Sequence, residues 1–307
     1  MSGVVVVVVC LGLPLAFTYR TKVTPWGSSG RSSLPTRTAQ SVHWRRRLQH
    51  ATCGLAILWG YLWIITDAWA VVALLSISSA AFLALHHLRR CVKSVDDLYL
   101  RSMGPLLRPH EIRGGLPGAF WFLLGTAGAV ALFPRDVALQ SILHLSLGDP
   151  VASVVGIRSG DRYRVLPAGK SLAGTFAAFL VCSLSTLLLF GCWCCQPPGD
   201  RDYSDHHGGE SSGDRGGGTS RNSGAIRNLF DAFAASGCDA FRSGSPGRPL
   251  SLLLWYSLLG GVSGAIGEIL PLGVDDNLSM PIASGLIFSV LAACTVGEPG
   301  LSVNDAR

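Results

Sequence analysis

The sequence predicts an all-α protein, a polytopic bundle of about seven transmembrane helices whose fourth helix is interrupted. Of its 307 residues, 49% are hydrophobic and only 14% are charged, whereas soluble domains carry about 25% charged residues. The apolar residues gather into runs of about 18 to 22, the length that crosses a bilayer core. Only helices or closed barrels satisfy every backbone group in hydrocarbon, and the alternation of barrel strands is absent from the sequence.

The apolar runs and the polar segments between them divide the chain into predicted spans and units. The fourth run is unusual because Gly148-Asp149-Pro150 interrupts it, and proline removes a backbone donor from a helix. The predicted spans are about 51–65, 69–88, 117–134, 137–157, 171–195, 250–272 and 279–296. The predicted units are a leader (1–44), a membrane core with five spans (45–195), a disordered loop (196–248), a second core part with two spans (249–297) and a tail (298–307).

The first 44 residues predict a targeting leader. Residues 4–17 are apolar but short for a span, and the basic, hydroxyl-rich stretch that follows lacks acidic residues, as targeting segments do. The pattern is similar to the bipartite leaders of secondary plastids, and it equally fits a signal anchor followed by a disordered tail. The predicted location is therefore a membrane of the endoplasmic reticulum or of a plastid.

Seven spans would place the polar clusters on one membrane face. Arg45–His50, loop 89–113, turn 158–170 and Asp275–Asn277 then share a side, as the positive-inside rule favours. The formal charge of +6 suits an anionic substrate. Nucleic acid is not an expected partner, because the basic residues flank spans without the interleaved aromatic residues of a stacking platform.

Acidic residues form the first two candidate groups. Asp149 lies inside an apolar run, where an ionisable residue costs about 2.5 kcal/mol or more and marks a functional site. Glu268 with Asp275, Asp276 and Asn277 supplies oxygen ligands that suit a hard cation, Mg²⁺ or Ca²⁺. The same Asp-Asp-Asn sequence is also ordinary turn chemistry between two helices.

Basic residues form the other two candidate groups. Lys170-Ser171 opens the fifth apolar run, where free backbone N–H groups and the helix dipole favour an anion. The spacing of a P-loop is absent, because Arg164 stands where that motif requires glycine. Arg46, Arg47 and His50 precede the first span, a position where positive charge also sets membrane topology.

Five motifs in order along the chain resemble the polyprenol kinase-like membrane family. That family includes dolichol, phytol and farnesol kinases and the CTP-dependent diacylglycerol kinases of fungal type, and the resemblance is to the last group in particular. It covers roughly residues 45–195 and 250–290. The motifs are Arg46-Arg47 with His50, EI…G…FWFLLG from Glu111, LSLGDPVASVVGIRSG around Asp149, GKSLAGTFAAF from Gly169, and YSLLGGVSGAIGEILPLGVDDNLSMPIASGL around Asp275–Asn277.

The resemblance implies transfer of the γ-phosphoryl group of CTP to a membrane lipid alcohol, with Arg46, Arg47, Asp149 and Gly156 needed for activity. Phosphoryl transfer depends on positioning and charge neutralisation. We therefore expect Asp149 to bind the metal or to act as the base, and Lys170, Arg46 and Arg47 to hold phosphates. The other predicted phosphate ligands are Gly156, Arg158, Gly160, Ser171 and His50; the predicted metal set is Asp149, Glu268, Asp275, Asp276 and Asn277.

Diacylglycerol is the predicted acceptor, and an isoprenoid alcohol (phytol, farnesol or dolichol) is the alternative in the same class. Broken helices also suit ion-coupled transporters, although no inverted repeat is visible in the sequence. Pro150 stands where many family members have Thr, Ala or Gly, which leaves open an inactive membrane scaffold.

Overall fold

The computed structural model describes residues 44–160, 165–166, 169–194 and 249–296. Within these ranges every regular element is a helix, which confirms the all-α prediction. The predicted disordered loop and tail, the leader up to residue 43, and the basic residues Arg162 and Arg164 of the turn lie outside the described residues.

The helices follow one another with short connections. A 3₁₀ turn at Gly104–Leu106 joins α3 to α4, and a π-helical turn at His144–Gly148 joins α6 to α7. The helices are α1 (Trp44–Trp63), α2 (Ala68–Cys91), α3 (Lys93–Met103), α4 (Pro109–Ile112), α5 (Gly118–Leu132), α6 (Arg135–Leu143), α7 (Asp149–Arg158), α8 (Leu172–Cys194), α9 (Pro249–Ile269) and α10 (Asp276–Val296).

Side-chain caps fix where two of the long helices begin. The carboxylate of Asp67 accepts hydrogen bonds from the N–H groups of Trp69 and Ala70 at the start of α2. At the start of α8, Ser171 Oγ accepts from the N–H of Gly174 at 3.0 Å. Each cap satisfies backbone donors that the first helical turn leaves without an intrahelical partner.

Three of these helices are long and apolar enough to cross a membrane: Ala68–Cys91, Leu172–Gly191 and Asp276–Cys294. Two further helices, Gly118–Leu132 and Leu253–Ile269, are apolar but shorter. The membrane class is therefore supported by length and composition, and the number of seven crossings stays a prediction.

The outer surface of α8 is apolar in the way that a membrane requires. Its exposed side chains recur every four residues and so lie on one face of the helix. A continuous apolar stripe suits contact with hydrocarbon better than contact with water. The stripe consists of Leu172, Phe176, Leu180, Leu184 and Leu188, each more than half exposed.

Two helices extend beyond the predicted spans. Arg46, Arg47 and His50, which precede the predicted span 51–65, already lie in α1, which is described from Trp44 onward. Arginine is a good helix former, so the helix extends beyond its apolar part. The turn at 275–277 is also partly helical, since α10 begins at Asp276. Asp275 Oδ1 accepts the N–H of Asn277 at 3.0 Å and thereby caps that helix.

The interruption of the fourth span is confirmed, and it lies just before the predicted position. The π turn ends at Gly148, and the chain enters α7 at Asp149 with helical angles (φ −60°, ψ −49°). In a π turn the N–H of residue i bonds to the carbonyl of residue i−5, so Pro150, which has no N–H, cannot serve Leu145. His50 Nε2 donates to Leu145 O at 3.1 Å instead.

Close approach between helices fixes the neighbours of the interrupted span. A Cβ at Gly148 would lie 2.7 Å from Cys182 Sγ of α8, and a Cβ at Gly174 would lie 2.5 Å from Ala152 O of α7. Small residues at such contacts let membrane helices pack at short range. The start of α8 is therefore held beside α7, next to the acidic residue that begins it.

Candidate functional site

Asp149 interacts with two charged groups that come from distant parts of the chain. It interacts electrostatically with Arg46 and Arg47 of α1. It also interacts with Glu268 at the end of α9 and with Asp276 at the start of α10. Asp149 itself is only partly buried. The structure thus brings the acidic residue of the interrupted helix, the basic pair and the Asp-Asp-Asn segment to one end of the bundle.

Lys170 is the cation of the second group. Its Nζ lies 3.4 Å from Glu268 Oε1 and 3.3 Å from Asp276 Oδ2, and it donates a short hydrogen bond to the backbone oxygen of Glu268. Thr175 Oγ1 donates to Glu268 Oε2 at 3.1 Å. Glu268 is 9% exposed, whereas the Asp276 side chain is 46% exposed. Asp276 is therefore the carboxylate of this group that a ligand reaches more easily.

The basic pair on α1 has an unused donor. Arg47 Nη2 donates to Ser153 Oγ of α7 at 2.6 Å. Its Nη1 is buried and has no hydrogen-bond partner within the described part of the chain. An unpaired buried donor is costly, and an anionic oxygen forms the strongest bond that a guanidinium nitrogen can make. The geometry around Arg47 therefore favours an anion.

Arg46 is surrounded by charges of both signs. Burial lowers its pKa from the usual value and Arg108 lowers it further, whereas Glu111, Asp149 and Asp275 act in the opposite direction. An arginine side chain remains protonated throughout the physiological range. Arg46 is therefore a permanent, partly desolvated cation beside Asp149, which are the properties expected of a residue that binds phosphate.

A hydrogen-bonded bracket, formed by Arg108, Glu111, Asp275 and Asn277, holds the adjoining segments together. Arg108 Nη1 lies 2.9 Å from Asp275 Oδ2. Glu111 is buried, and its two oxygens accept the N–H groups of Arg108 at 2.7 Å and Gly118 at 2.9 Å. Asn277 Nδ2 donates to Gly118 O at 3.1 Å. Asp275 and Asn277, two predicted metal ligands, thus have protein partners in this structure.

Sequence reasoning missed Arg108 as a site residue. Its partner Asp275 is 167 positions away, and no local motif marks either the pair or its geometry. The only sequence signal was the general excess of basic residues in the predicted loop 89–113.

The remaining predicted phosphate ligands have varied surroundings. Ser171 caps α8, and a Cβ at Gly156 would lie 2.9 Å from Ser171 Oγ. His50 bonds to the π turn through Leu145 O. Arg158 is exposed at the end of α7, and the exposed Gly160 has a φ of 76°. Gly156 and His50 therefore contribute to helix packing around Asp149, whatever else they bind.

Oxygen donors are present for a metal, but they do not form a preassembled centre. No group of three or more His, Cys, Asp or Glu side chains that could hold an ion occurs among the described residues. Asp149, Glu268 and Asp276 have the hard oxygen chemistry of Mg²⁺ or Ca²⁺ ligands, with Lys170 between the last two. The donor chemistry fits such an ion, and the metal assignment stays a prediction.

The fold and the site define a helical membrane protein with a mixed charged centre at one end of its apolar helices. The chain is similar to fungal proteins named CTP-dependent diacylglycerol kinase 1. It is 28% identical to that of Schizosaccharomyces pombe over 195 residues, which are 63% of this chain and 68% of the relative. It is 28% identical to that of Saccharomyces cerevisiae over 200 residues, which are 63% of this chain and 54% of the relative.

A third relative matches over a shorter length. The protein of the same name from Eremothecium gossypii is 38% identical over 96 residues, 31% of this chain and 30% of that protein. No protein-family profile matches the chain, and no solved structure does. The resemblance to CTP-dependent diacylglycerol kinases that the motifs predicted is thus confirmed, while the wider polyprenol kinase grouping stays a prediction.

Proposed function

We propose that this chain is a CTP-dependent lipid kinase that phosphorylates diacylglycerol to phosphatidate at a membrane surface. The observation that carries the proposal is the meeting of Asp149 with Arg46 and Arg47 on one side and with the Lys170 group on the other. Phosphoryl transfer needs cations on the phosphates and an acidic group near the attacking hydroxyl. The similarity to proteins named for this activity supports the same assignment.

Each charged residue has a proposed role. Arg47, with its unpaired Nη1, and Arg46 hold phosphate oxygens of CTP. Lys170 holds a further phosphate oxygen when the nucleotide is bound, which requires it to exchange one of its present carboxylate partners. Asp149 orients the lipid hydroxyl or accepts its proton. These groups position the reactants and neutralise charge, which is where catalysis of this reaction comes from.

A divalent cation would be held by oxygens of Asp149, Asp276 and Glu268. When bound, it would neutralise charge on the transferring phosphoryl group. Asp275 and Asn277 would support this site indirectly, through their contacts with Arg108 and Gly118.

The assay that tests the activity uses purified protein with γ-labelled CTP or ATP and four acceptors: diacylglycerol, farnesol, phytol and dolichol. We expect labelled phosphatidate from CTP and diacylglycerol, and little product from ATP. Label from ATP instead, or transfer that is unchanged in Asp149→Ala, would contradict the proposal. If the protein prefers an isoprenoid alcohol, that alcohol is the acceptor in place of diacylglycerol, and the class of reaction is unchanged.

Removal of the divalent cation tests the proposed metal. We expect EDTA to abolish transfer from CTP and Mg²⁺ to restore it, with Ca²⁺ compared at the same concentration. Unchanged activity in EDTA would rule out the metal, and it would leave the arginines and Lys170 as the charges that neutralise the phosphates.

We also propose residence in the endoplasmic reticulum or a plastid, based on the composition of the first 44 residues. Residues 1–45 fused to a fluorescent reporter should carry it to one of these compartments. A reporter that remains diffuse in the cytosol would contradict the leader assignment.

A further inference from the structure

An apolar pocket adjoins the charged site between α1, α2, α3 and α5. Its walls include Cys53, Phe82, Met103 and Phe122, one from each of these helices. Its empty space is about 780 Å³ when the part that is open to solvent is counted. None of these four side chains has a role in the phosphate and metal contacts described above.

One end of the pocket is polar and belongs to the charged site. Arg46, Glu111 and Asn277 line this end. All three surround Gly118, where an added Cβ would lie 3.1 Å from Asn277 Nδ2, 3.2 Å from Glu111 Oε1 and 4.0 Å from Arg46 Nη2. Since Arg46 also interacts with Asp149, the polar end of the pocket lies beside the proposed reaction centre.

The other end lies deeper along the apolar helices. Cys53 is seven residues beyond Arg46 in α1, which is about 10 Å along a helix. Phe82 lies seven residues before Arg89 in α2, and Arg89 Nη2 is bonded at the polar end, 3.0 Å from Glu111 O. Both walls thus descend about 10 Å from the polar end into segments of membrane character. The pocket is therefore charged at one end and apolar along the walls formed by Phe82, Met103 and Phe122.

We propose that this pocket binds the lipid acceptor, with one acyl chain of diacylglycerol between Phe82, Met103 and Phe122 and its free hydroxyl at the Arg46 end. The inference rests on the proposed function for the identity of the lipid. A nucleotide base does not suit the apolar walls at Phe82, Met103 and Phe122, because its polar edges would lack partners there. The polar lining residues Gln49 and His50 lie between Arg46 and Cys53 on α1. An acyl chain requires no polar partners, and its burial against apolar walls is favourable at about 0.8 kcal/mol per methylene.

Reducing the volume of the pocket tests the proposal kinetically. Met103→Trp and Phe82→Trp fill it from two walls, and Leu98→Trp is the matched control, since Leu98 is on α3 but 66% exposed. We expect the KM for dioleoylglycerol to rise at least about fivefold in the filling variants, with a smaller effect for dioctanoylglycerol. The KM for CTP should stay as in the control. Equal effects in the control, or unchanged lipid KM in both filling variants, would overturn the proposal.

Photo-crosslinking tests the same site without catalysis or substitution. Wild-type protein receives a diacylglycerol with a diazirine in its acyl chain, without CTP, and the modified peptides are identified by mass spectrometry. We expect adducts on the pocket walls of α1, α2, α3 or α5, and we expect excess dioleoylglycerol to prevent their formation. Adducts confined to the exposed stripe of α8 would contradict the acyl-chain assignment. So would adducts whose formation is prevented by farnesol but not by dioleoylglycerol.

The two experiments distinguish failure of the site from failure of the activity. If adducts form in the pocket and dioleoylglycerol competes with them, but no phosphate is transferred from CTP, the lipid site stands and the kinase activity is rejected. If Met103→Trp and Phe82→Trp leave transfer from CTP unchanged and adducts form only outside the pocket, the kinase activity stands and the lipid site is rejected.

Discussion

At the scale of single residues, Glu111 shows how a buried carboxylate can organise a site without reacting. It is 2% exposed, and each of its oxygens accepts one backbone N–H, from Arg108 and from Gly118. The bond to Arg108 caps α4, and the bond to Gly118 joins α4 to the start of α5, where the polar end of the apolar pocket lies. Its position fixes Arg108, which in turn reaches Asp275.

Glu111→Gln should destabilise the protein by about 1–3 kcal/mol, because the amide nitrogen would face a backbone donor and leave it unsatisfied. The measurement is the unfolding midpoint in detergent. Asp97→Asn, at an exposed position of α3, is the control and should leave the midpoint unchanged. Equal midpoints for the two variants would show that the bracket around Glu111 contributes little.

Lys170 carries a second prediction at this scale. Lys170→Met keeps the length of the side chain and removes the charge that Glu268 and Asp276 share. We expect the rate of transfer from CTP to fall about 100-fold, the order of loss seen when one stabilising donor is removed from a reaction centre. The control is Lys93→Met, at an exposed position at the start of α3, which should retain the wild-type rate. If Lys170→Met also retains the wild-type rate, Lys170 has no role in the transfer.

At the scale of elements, the π turn before Asp149 explains how the chain accommodates Pro150. In the i−5 pattern of a π turn, Leu145 O would bond to the N–H of residue 150, which proline lacks. His50 of α1 supplies the missing bond, so the interruption also fastens α1 to the fourth span. A proline at this position is therefore compatible with an intact helix beside the acidic residue.

The same contact predicts coupling between His50 and Pro150 in stability. His50→Ala should cost about 1 kcal/mol or more, because it leaves a buried carbonyl without a donor. The cost should shrink when Pro150→Ala restores an N–H to the turn. A double-mutant cycle on the unfolding midpoint measures the coupling, and strictly additive changes would contradict this account of the turn.

Sequence patterns predicted the elements better than their ends. Hydropathy located the apolar part of every long helix, but it could not show that α1 includes Trp44 and the basic residues after it, because polar helical turns carry no hydropathy signal. It also missed α3 and α4 within the predicted loop 89–113. The interruption at Asp149 was predictable because charge and proline are both rare in apolar helices.

At the scale of the whole molecule, the central feature is that charged residues from distant parts of the chain meet around Asp149. Arg46 and Asp276 are separated by most of the described chain, and both interact with Asp149. The sequence predicted this meeting through the count of spans and the positive-inside rule. It could not predict which acidic residues pair with protein cations, as Asp275 does with Arg108, because such pairing depends on tertiary packing.

The most direct test of the account compares Asp149→Asn with Asp97→Asn in initial rates of phosphatidate formation from CTP and diacylglycerol. Both changes remove one negative charge at nearly constant shape, and only Asp149 lies among the converged charges. We predict a loss of about 100-fold or more for Asp149→Asn, an unchanged rate for Asp97→Asn, and similar unfolding midpoints for both. Wild-type rates in Asp149→Asn would contradict the account.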